Sequence, residues 1–106
     1  STWRINKLDT VLTLGYSPVE QYDANAQLGA WTDIYAIGAS MRTCLDNKTP
    51  IPATERIQKD TLVPAVKAFS RKFPDYLLKA IDWAMELKPE DRPQTVEQFK
   101  QALLKP

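Results

Sequence analysis

The chain has no histidine and one cysteine among its 106 residues, and these two scarcities exclude several kinds of chemistry. Without histidine there can be no Ser-His-Asp triad and no zinc site with a histidine ligand. A lone cysteine, Cys44, cannot form an internal disulfide, which suits a reducing cytoplasm. Because Cys44 lies in an apolar stretch of helical pattern, we predict that it is a small core residue.

Glycine is scarce as well, and Gly15, Gly29 and Gly38 are too far apart to form a phosphate-binding loop. No apolar run reaches the roughly 20 residues of a membrane-spanning helix. The N-terminus lacks a signal-peptide pattern, and its start at Ser1 without Met suggests a fragment. With 14 basic and 13 acidic residues, the net charge of +1 gives no reason to expect a nucleic-acid or membrane surface.

What the sequence does contain is the pattern of a mainly α protein built around a buried central helix at about 32–46. Its apolar side chains recur at helical spacing, and the first half of the helix is apolar on nearly every side. We predict that Thr32 caps its N-terminus and that Asn47 is a left-handed C-cap. Gly38, in the middle, would allow another backbone to approach closely.

Shorter helical segments are predicted around this helix. Pro-containing turns favour short helices at 18–22, 53–59 and 65–69, and a longer one that begins near Pro74 and ends before Pro89. The last helix begins with a capping box in which Thr95 is the cap and Gln98 is its partner. Its predicted buried stripe consists of Val96, Phe99 and Leu103. No substantial sheet is expected.

Four short motifs follow one another in a fixed order: Thr-Leu-Gly-Tyr-Ser-Pro-Val-Glu-Gln at 13–21, Trp-Thr-Asp-Ile-Tyr-Ala-Ile-Gly at 31–38, a Pro-rich turn at 49–52, and Lys-Pro-Glu-Asp-Arg-Pro at 88–93. Each motif is weak alone, but together they resemble the C-terminal part of the large lobe of a bacterial eukaryotic-like serine/threonine protein kinase. This resemblance implies an incomplete kinase domain. Residues 1–14 would be the end of the activation segment, and residues 15–106 the helical subdomain of the large lobe.

The resemblance also implies roles for individual residues. Thr13, Gly15 and Tyr16 match the substrate-docking turn, where the hydroxyl of Thr13 would face the catalytic aspartate. Glu20 and Arg92 match a structural ion pair that joins the end of the activation segment to the loop between the last two helices. The active-site scaffold would include two further residues, both in the central helix: Asp33 and Gly38.

The residues that carry out phosphoryl transfer in that family are absent from this sequence. There is no Gly-rich loop, no His-Arg-Asp and no Asp-Phe-Gly, so no catalytic, cofactor-binding or metal-binding residue is predicted. The resemblance implies that a parent protein binds Mg-ATP and transfers its γ-phosphate to protein Ser or Thr. The chain itself would supply the docking turn and a structural base.

Two other interpretations remain open. One is a pseudokinase-derived module that binds a partner and catalyses nothing, and the other is an unrelated helical adaptor, which predicts no contact between Glu20 and Arg92. The expected partners are the remainder of the kinase domain and a protein substrate. Because the central helix is apolar on faces that the missing half of the lobe would cover, we also expect a homodimer. The expected location is the cytoplasm, with a membrane anchor on the parent left open.

Overall fold

The computed structural model describes residues 14–104, and this part of the chain is all-helical without strands. The prediction of a mainly α fold is therefore confirmed. The α-helices are α1 (Ala30–Asp46), α2 (Ala53–Gln58), α3 (Ala65–Ala68), α4 (Asp75–Ala84) and α5 (Val96–Leu104). Two 3-10 helices cover Val19–Tyr22 and Pro89–Asp91. Residues 1–13, and with them Thr13 and nearly all of the predicted end of the activation segment, lie outside the described residues.

Helix α1 begins two residues earlier than predicted, because its cap is Gly29 and not Thr32. The Thr32 hydroxyl instead accepts a hydrogen bond from the Gly29 N–H at 3.2 Å, from a position one turn inside the helix. The other end is as predicted. Asn47 adopts the left-handed conformation, with φ of 58°, and its N–H donates to the Thr43 carbonyl at 2.6 Å.

Proline sets the start of each of the three middle helices. Pro52, Pro64 and Pro74 directly precede α2, α3 and α4, each in an extended conformation with φ between −59° and −55°. A proline lacks the N–H that would be unpaired at a helix start, so it is tolerated at the N-terminus of a helix and not in its interior.

The core forms where α1 packs against α4, and α4 in turn contacts α3 and α5. At the centre of the core, α1 and the end of α4 approach each other closely at Gly38. A Cβ atom added there would lie 2.7 Å from the Cβ of Ala84 and 3.3 Å from the Cγ of Met85. The fully or nearly fully buried apolar side chains surround this contact: Ile34, Tyr35, Ala39, Leu78, Ala80, Ile81, Ala84, Met85 and Phe99.

Two predictions about burial are wrong. Cys44 is exposed and not part of the core, because its position six residues after Gly38 places it about 120° around the helix from the side that meets α4. Val96 is 63% exposed, because it begins α5 before the helix meets the core at Phe99 and Ala102. The remaining stripe residues of α5 behave as expected, since Phe99 is buried and Leu103 packs against the same cluster.

The capping box at the start of α5 is half as predicted. Thr95 Oγ1 accepts a hydrogen bond from the Gln98 N–H at 3.1 Å, whereas Gln98 Oε1 accepts from the N–H of Gln94 at 2.7 Å and not from that of Thr95. Both bonds still satisfy donors at the beginning of the helix. Within residues 14–104, none of the helices is both long enough and apolar enough to cross a membrane.

Candidate functional site

The turn at residues 14–17 depends on the missing side chain of Gly15. Its φ is +93°, a conformation that residues with a side chain rarely adopt. In addition, a Cβ on Gly15 would lie 2.5 Å from Thr49 Cγ2 and 2.7 Å from the Pro50 carbonyl oxygen. The turn therefore lies directly on the segment that follows α1. Of the residues assigned to the docking turn, Gly15 and Tyr16 are described, and Thr13 is not.

Tyr16 fastens the same turn to the end of α1. Its hydroxyl forms a hydrogen bond of 2.8 Å with the hydroxyl of Thr43, in the last turns of the helix. Thr43 Oγ1 also lies 3.1 Å from the carbonyl oxygens of Ala39 and Lys48. Thr43 could not be predicted from the sequence, because a helical threonine carries no signal of its partner 27 positions away.

Glu20 and Arg92, 72 positions apart, form a bidentate ion pair. Arg92 Nη1 donates to Glu20 Oε2 at 2.6 Å, and Nη2 donates to Oε1 at 3.1 Å. The side chains are 0% and 3% exposed for Arg92 and Glu20 respectively. Two parallel charge-assisted hydrogen bonds fix the planes of both groups relative to each other, so the pair joins the 3-10 helix Val19–Tyr22 rigidly to the loop before α5.

The remaining hydrogen-bonding capacity of Arg92 is used on backbone carbonyls. Nε donates to the Glu86 carbonyl at 2.7 Å, Nη2 to that of Leu87 at 2.9 Å, and Nη1 to that of Trp31 at 3.1 Å. Together with the two bonds to Glu20, all five N–H groups have acceptors. Thr32 Oγ1 donates to Glu20 Oε2 at 2.9 Å, which explains why this threonine is buried in α1.

A second ion pair lies at the hydroxyl end of Tyr35. The guanidinium of Arg92 stacks 4.8 Å from the centroid of the Tyr35 ring, and the Tyr35 hydroxyl accepts a hydrogen bond from Arg56 Nη1 at 3.1 Å. Arg56 also binds both carboxylate oxygens of Asp60, at 2.9 and 3.0 Å. These hydrogen bonds hold the pKa of Asp60 below its ordinary value. This pair was not predicted from the sequence, although its i, i+4 spacing is a recognisable signal.

Arg42 is the buried arginine without a hydrogen bond in the described part of the chain. It is 7% exposed, and its Nη1 is buried without a hydrogen-bond partner. Its guanidinium lies 5.3 Å from the centroid of the Phe69 ring. Burial lowers the pKa of Arg42, and the charges of Asp82 and Asp46 oppose this effect. Asp82 itself accepts hydrogen bonds from the N–H groups of Ala65 and Val66 at the start of α3.

The two residues assigned to the active-site scaffold occupy different surroundings. Asp33 lies in the first turn of α1 and is exposed, whereas Gly38 is buried against Ala84 of α4. Among residues 14–104, no group of three acidic, cysteine or histidine side chains is placed to hold a metal ion.

A solved structure shares this arrangement of helices. The chain superposes on PpkA-294 in its apo form, a fragment of a bacterial Ser/Thr kinase, with a TM-score of 0.82 and 35% sequence identity. The match covers 94% of this chain and 34% of the other, so the chain spans about a third of the length of the structure that it matches. No family model matches the chain, and no curated protein matches it significantly. The fold is therefore kinase-related.

Proposed function

We propose that the chain is the helical C-terminal subdomain of the large lobe of a bacterial serine/threonine protein kinase. The observation that carries this proposal is the buried pair of Glu20 and Arg92, each in a motif that resembles the family, at 2.6 Å. An unrelated helical adaptor gives no reason for two residues so far apart in sequence to meet with every polar atom satisfied. The likeness to PpkA-294 over 94% of the chain supports the same interpretation.

The proposed role of this subdomain is to hold the substrate and to support the active site. In this proposal residues 1–14 form the end of the activation segment, and residues 15–106 form the base. The turn with Gly15 and Tyr16 docks the protein substrate, and the Thr13 hydroxyl faces the catalytic aspartate. The satisfied ion pair of Glu20 and Arg92 keeps this turn at a fixed distance from the helical base, because separation of the partners would leave a buried charge unpaired.

The chemistry belongs to the remainder of the parent kinase. In protein kinases a Gly-rich loop and a strand lysine hold ATP, and acidic and amide side chains hold magnesium. The sequence has none of these motifs, and Mg-ATP is accordingly assigned to the other part of the parent. Exposed residues on one side of α1 support the proposal that the remainder of the kinase packs against this helix. Asp33 is exposed and Ile37 is 46% exposed, so an apolar and acidic strip of the central helix is left for the remaining lobe to cover.

The test is the intact mass of the protein from its source cells, compared with 12.1 kDa, together with its upstream sequence. A heavier species with a Gly-rich loop, a strand lysine and a catalytic aspartate, which transfers ³²P from ATP to protein Ser or Thr, supports the proposal. A native product of about 12.1 kDa would instead support the alternative, a binding module of pseudokinase origin. The 106-residue chain alone is expected to show no saturable binding of Mg-ATP at micromolar concentrations.

The cytoplasmic location and the homodimer are parts of this proposal with tests of their own. Fractionation of the source cells locates the full-length protein. Sedimentation of the isolated chain at high concentration tests association through the exposed strip of α1, and Ile37→Lys is expected to reduce it. A single monomeric species at all concentrations would contradict the dimer without affecting the kinase assignment.

A further inference from the structure

The hydroxyl of Thr43 lies among three oxygens at the end of α1. Tyr16 Oη is 2.8 Å away, and the carbonyl oxygens of Ala39 and Lys48 are each at 3.1 Å. Thr43 is the point at which the candidate docking turn, the last turns of α1 and the segment after the helix come into contact. The turn touches this segment a second time where Gly15 lies against Thr49 and Pro50.

The hydrogen bond between Tyr16 and Thr43 can form in either direction, because each hydroxyl can donate or accept. The single hydrogen of Thr43 can point at the carbonyl of Ala39, at that of Lys48 or at Tyr16 Oη. Whichever hydroxyl donates, the bond of 2.8 Å joins the Tyr16 ring to the end of α1.

We propose that Thr43 is a positioning residue of the substrate-docking turn, whose hydrogen bond to Tyr16 Oη fixes the tyrosine ring against the end of α1. This inference rests on the proposed function, since it assigns the turn to substrate docking.

The first experiment uses the full-length protein and its protein substrate. Thr43→Val keeps the shape of the side chain and removes the hydroxyl, and we expect the KM for protein substrate to rise about fivefold, as for one neutral hydrogen bond. The kcat and the KM for ATP should stay unchanged. Thr43→Ser restores the hydroxyl and should restore the KM. If kcat falls while the KM for protein substrate stays constant, the proposal is wrong.

A double-mutant cycle shows whether Thr43 acts through Tyr16. Tyr16→Phe should raise the same KM, and adding Thr43→Val to it should have no further effect, because the bond between them is already lost. A merely structural role of Thr43 predicts that the two effects add. Additive effects would therefore overturn the assignment.

A second measurement does not depend on kinase activity. Amide hydrogen exchange at Gly15, Tyr16 and Ser17 of the 106-residue chain should accelerate about fivefold in Thr43→Val and stay constant in Thr43→Ser. Ser40→Ala is the matched control, because Ser40 is an exposed hydroxyl of α1 that bonds to the Ala36 carbonyl. Unchanged exchange in Thr43→Val overturns the positioning role. Absence of kinase activity in the wild-type full-length protein overturns the proposed function instead, and exchange then decides the anchoring alone.

Discussion

Arg92 stacks 4.8 Å from the ring centroid of Tyr35, whose hydroxyl accepts a hydrogen bond from Arg56 at 3.1 Å. One aromatic side chain of α1 therefore contacts two ion pairs, that of Arg92 with Glu20 and that of Arg56 with Asp60. Because Arg92 and Arg56 also bind backbone carbonyls around the end of α4, the network joins five parts of the chain. The helix packing and this polar network thus share one centre.

Glu20→Ala is expected to lower the free energy of unfolding by about 3 kcal/mol, because it leaves the charge of Arg92 buried without its carboxylate. Urea unfolding followed by circular dichroism measures the difference. Glu90→Ala, at an exposed position in the 3-10 helix before Arg92, is the control and should have little effect. An unchanged unfolding midpoint in Glu20→Ala would show that the ion pair does not stabilise the fold.

The sequence could predict the helices but not which of their faces are covered. Periodicity and caps locate α1 and its end at Asn47, since both depend on neighbours within one or two turns. Glu20 and Arg92 can be paired through the motifs around them, and spacing alone would not suggest it. Burial is different. Cys44 and Val96 have the pattern of core residues, and whether a neighbouring helix reaches them is a property of the tertiary structure.

In the candidate site, too, local features could be predicted from the sequence and most tertiary contacts could not. Nothing local distinguishes Arg42, whose Nη1 is buried without a hydrogen-bond partner, from an exposed helical arginine. Thr32 fits the pattern of an N-cap, but its hydroxyl serves Glu20, which no local rule anticipates. Polar side chains that are satisfied by distant partners are the residues that sequence reasoning places least well, because their partners lie far away in the chain.

Gly38→Ala is expected to destabilise the fold by about 1–2 kcal/mol. Alanine is the better helix former by about 1 kcal/mol, but its Cβ would lie 2.7 Å from that of Ala84, and overpacking of this kind costs about 1–3 kcal/mol. Ala84→Gly should relieve the clash, so the double variant should lose less stability than the sum of the two single ones. Urea unfolding of the four proteins gives the coupling energy, and a coupling near zero would contradict the close approach.

Glu86→Gln is expected to stabilise the protein at neutral pH. Partial desolvation of its carboxylate, followed by the charge of Asp91, raises the pKa of Glu86 above its ordinary value of 4.5. An acid with a raised pKa in the folded state contributes stability below its unfolded pKa, and this contribution is lost as pH rises through the folded pKa. The gain in stability from Glu86→Gln should therefore appear above the folded-state pKa of Glu86 and vanish below about pH 4. It should be small because the side chain is exposed.

Unfolding midpoints at about pH 3.5 and about pH 7.5 test this pH dependence. Glu55→Gln is the control, at an exposed position of α2, and should show no difference between the two pH values beyond that of the wild type. A stabilisation by Glu86→Gln that is equal at both pH values would contradict the role of its charge.

Arg42→Met and Arg92→Met should have opposite effects, although both replace a buried arginine by an apolar side chain of similar length. Arg42 buries an N–H group without an acceptor, so its loss removes an unfavourable term, and we expect a gain of about 1 kcal/mol. Arg92 binds Glu20 and three carbonyl groups, and its loss should cost about 3 kcal/mol or more. Urea unfolding of both variants decides. If Arg42→Met destabilises the protein, the prediction is wrong. The stacking of Arg42 on Phe69 and its attraction to Asp82 would then outweigh the cost of the buried donor.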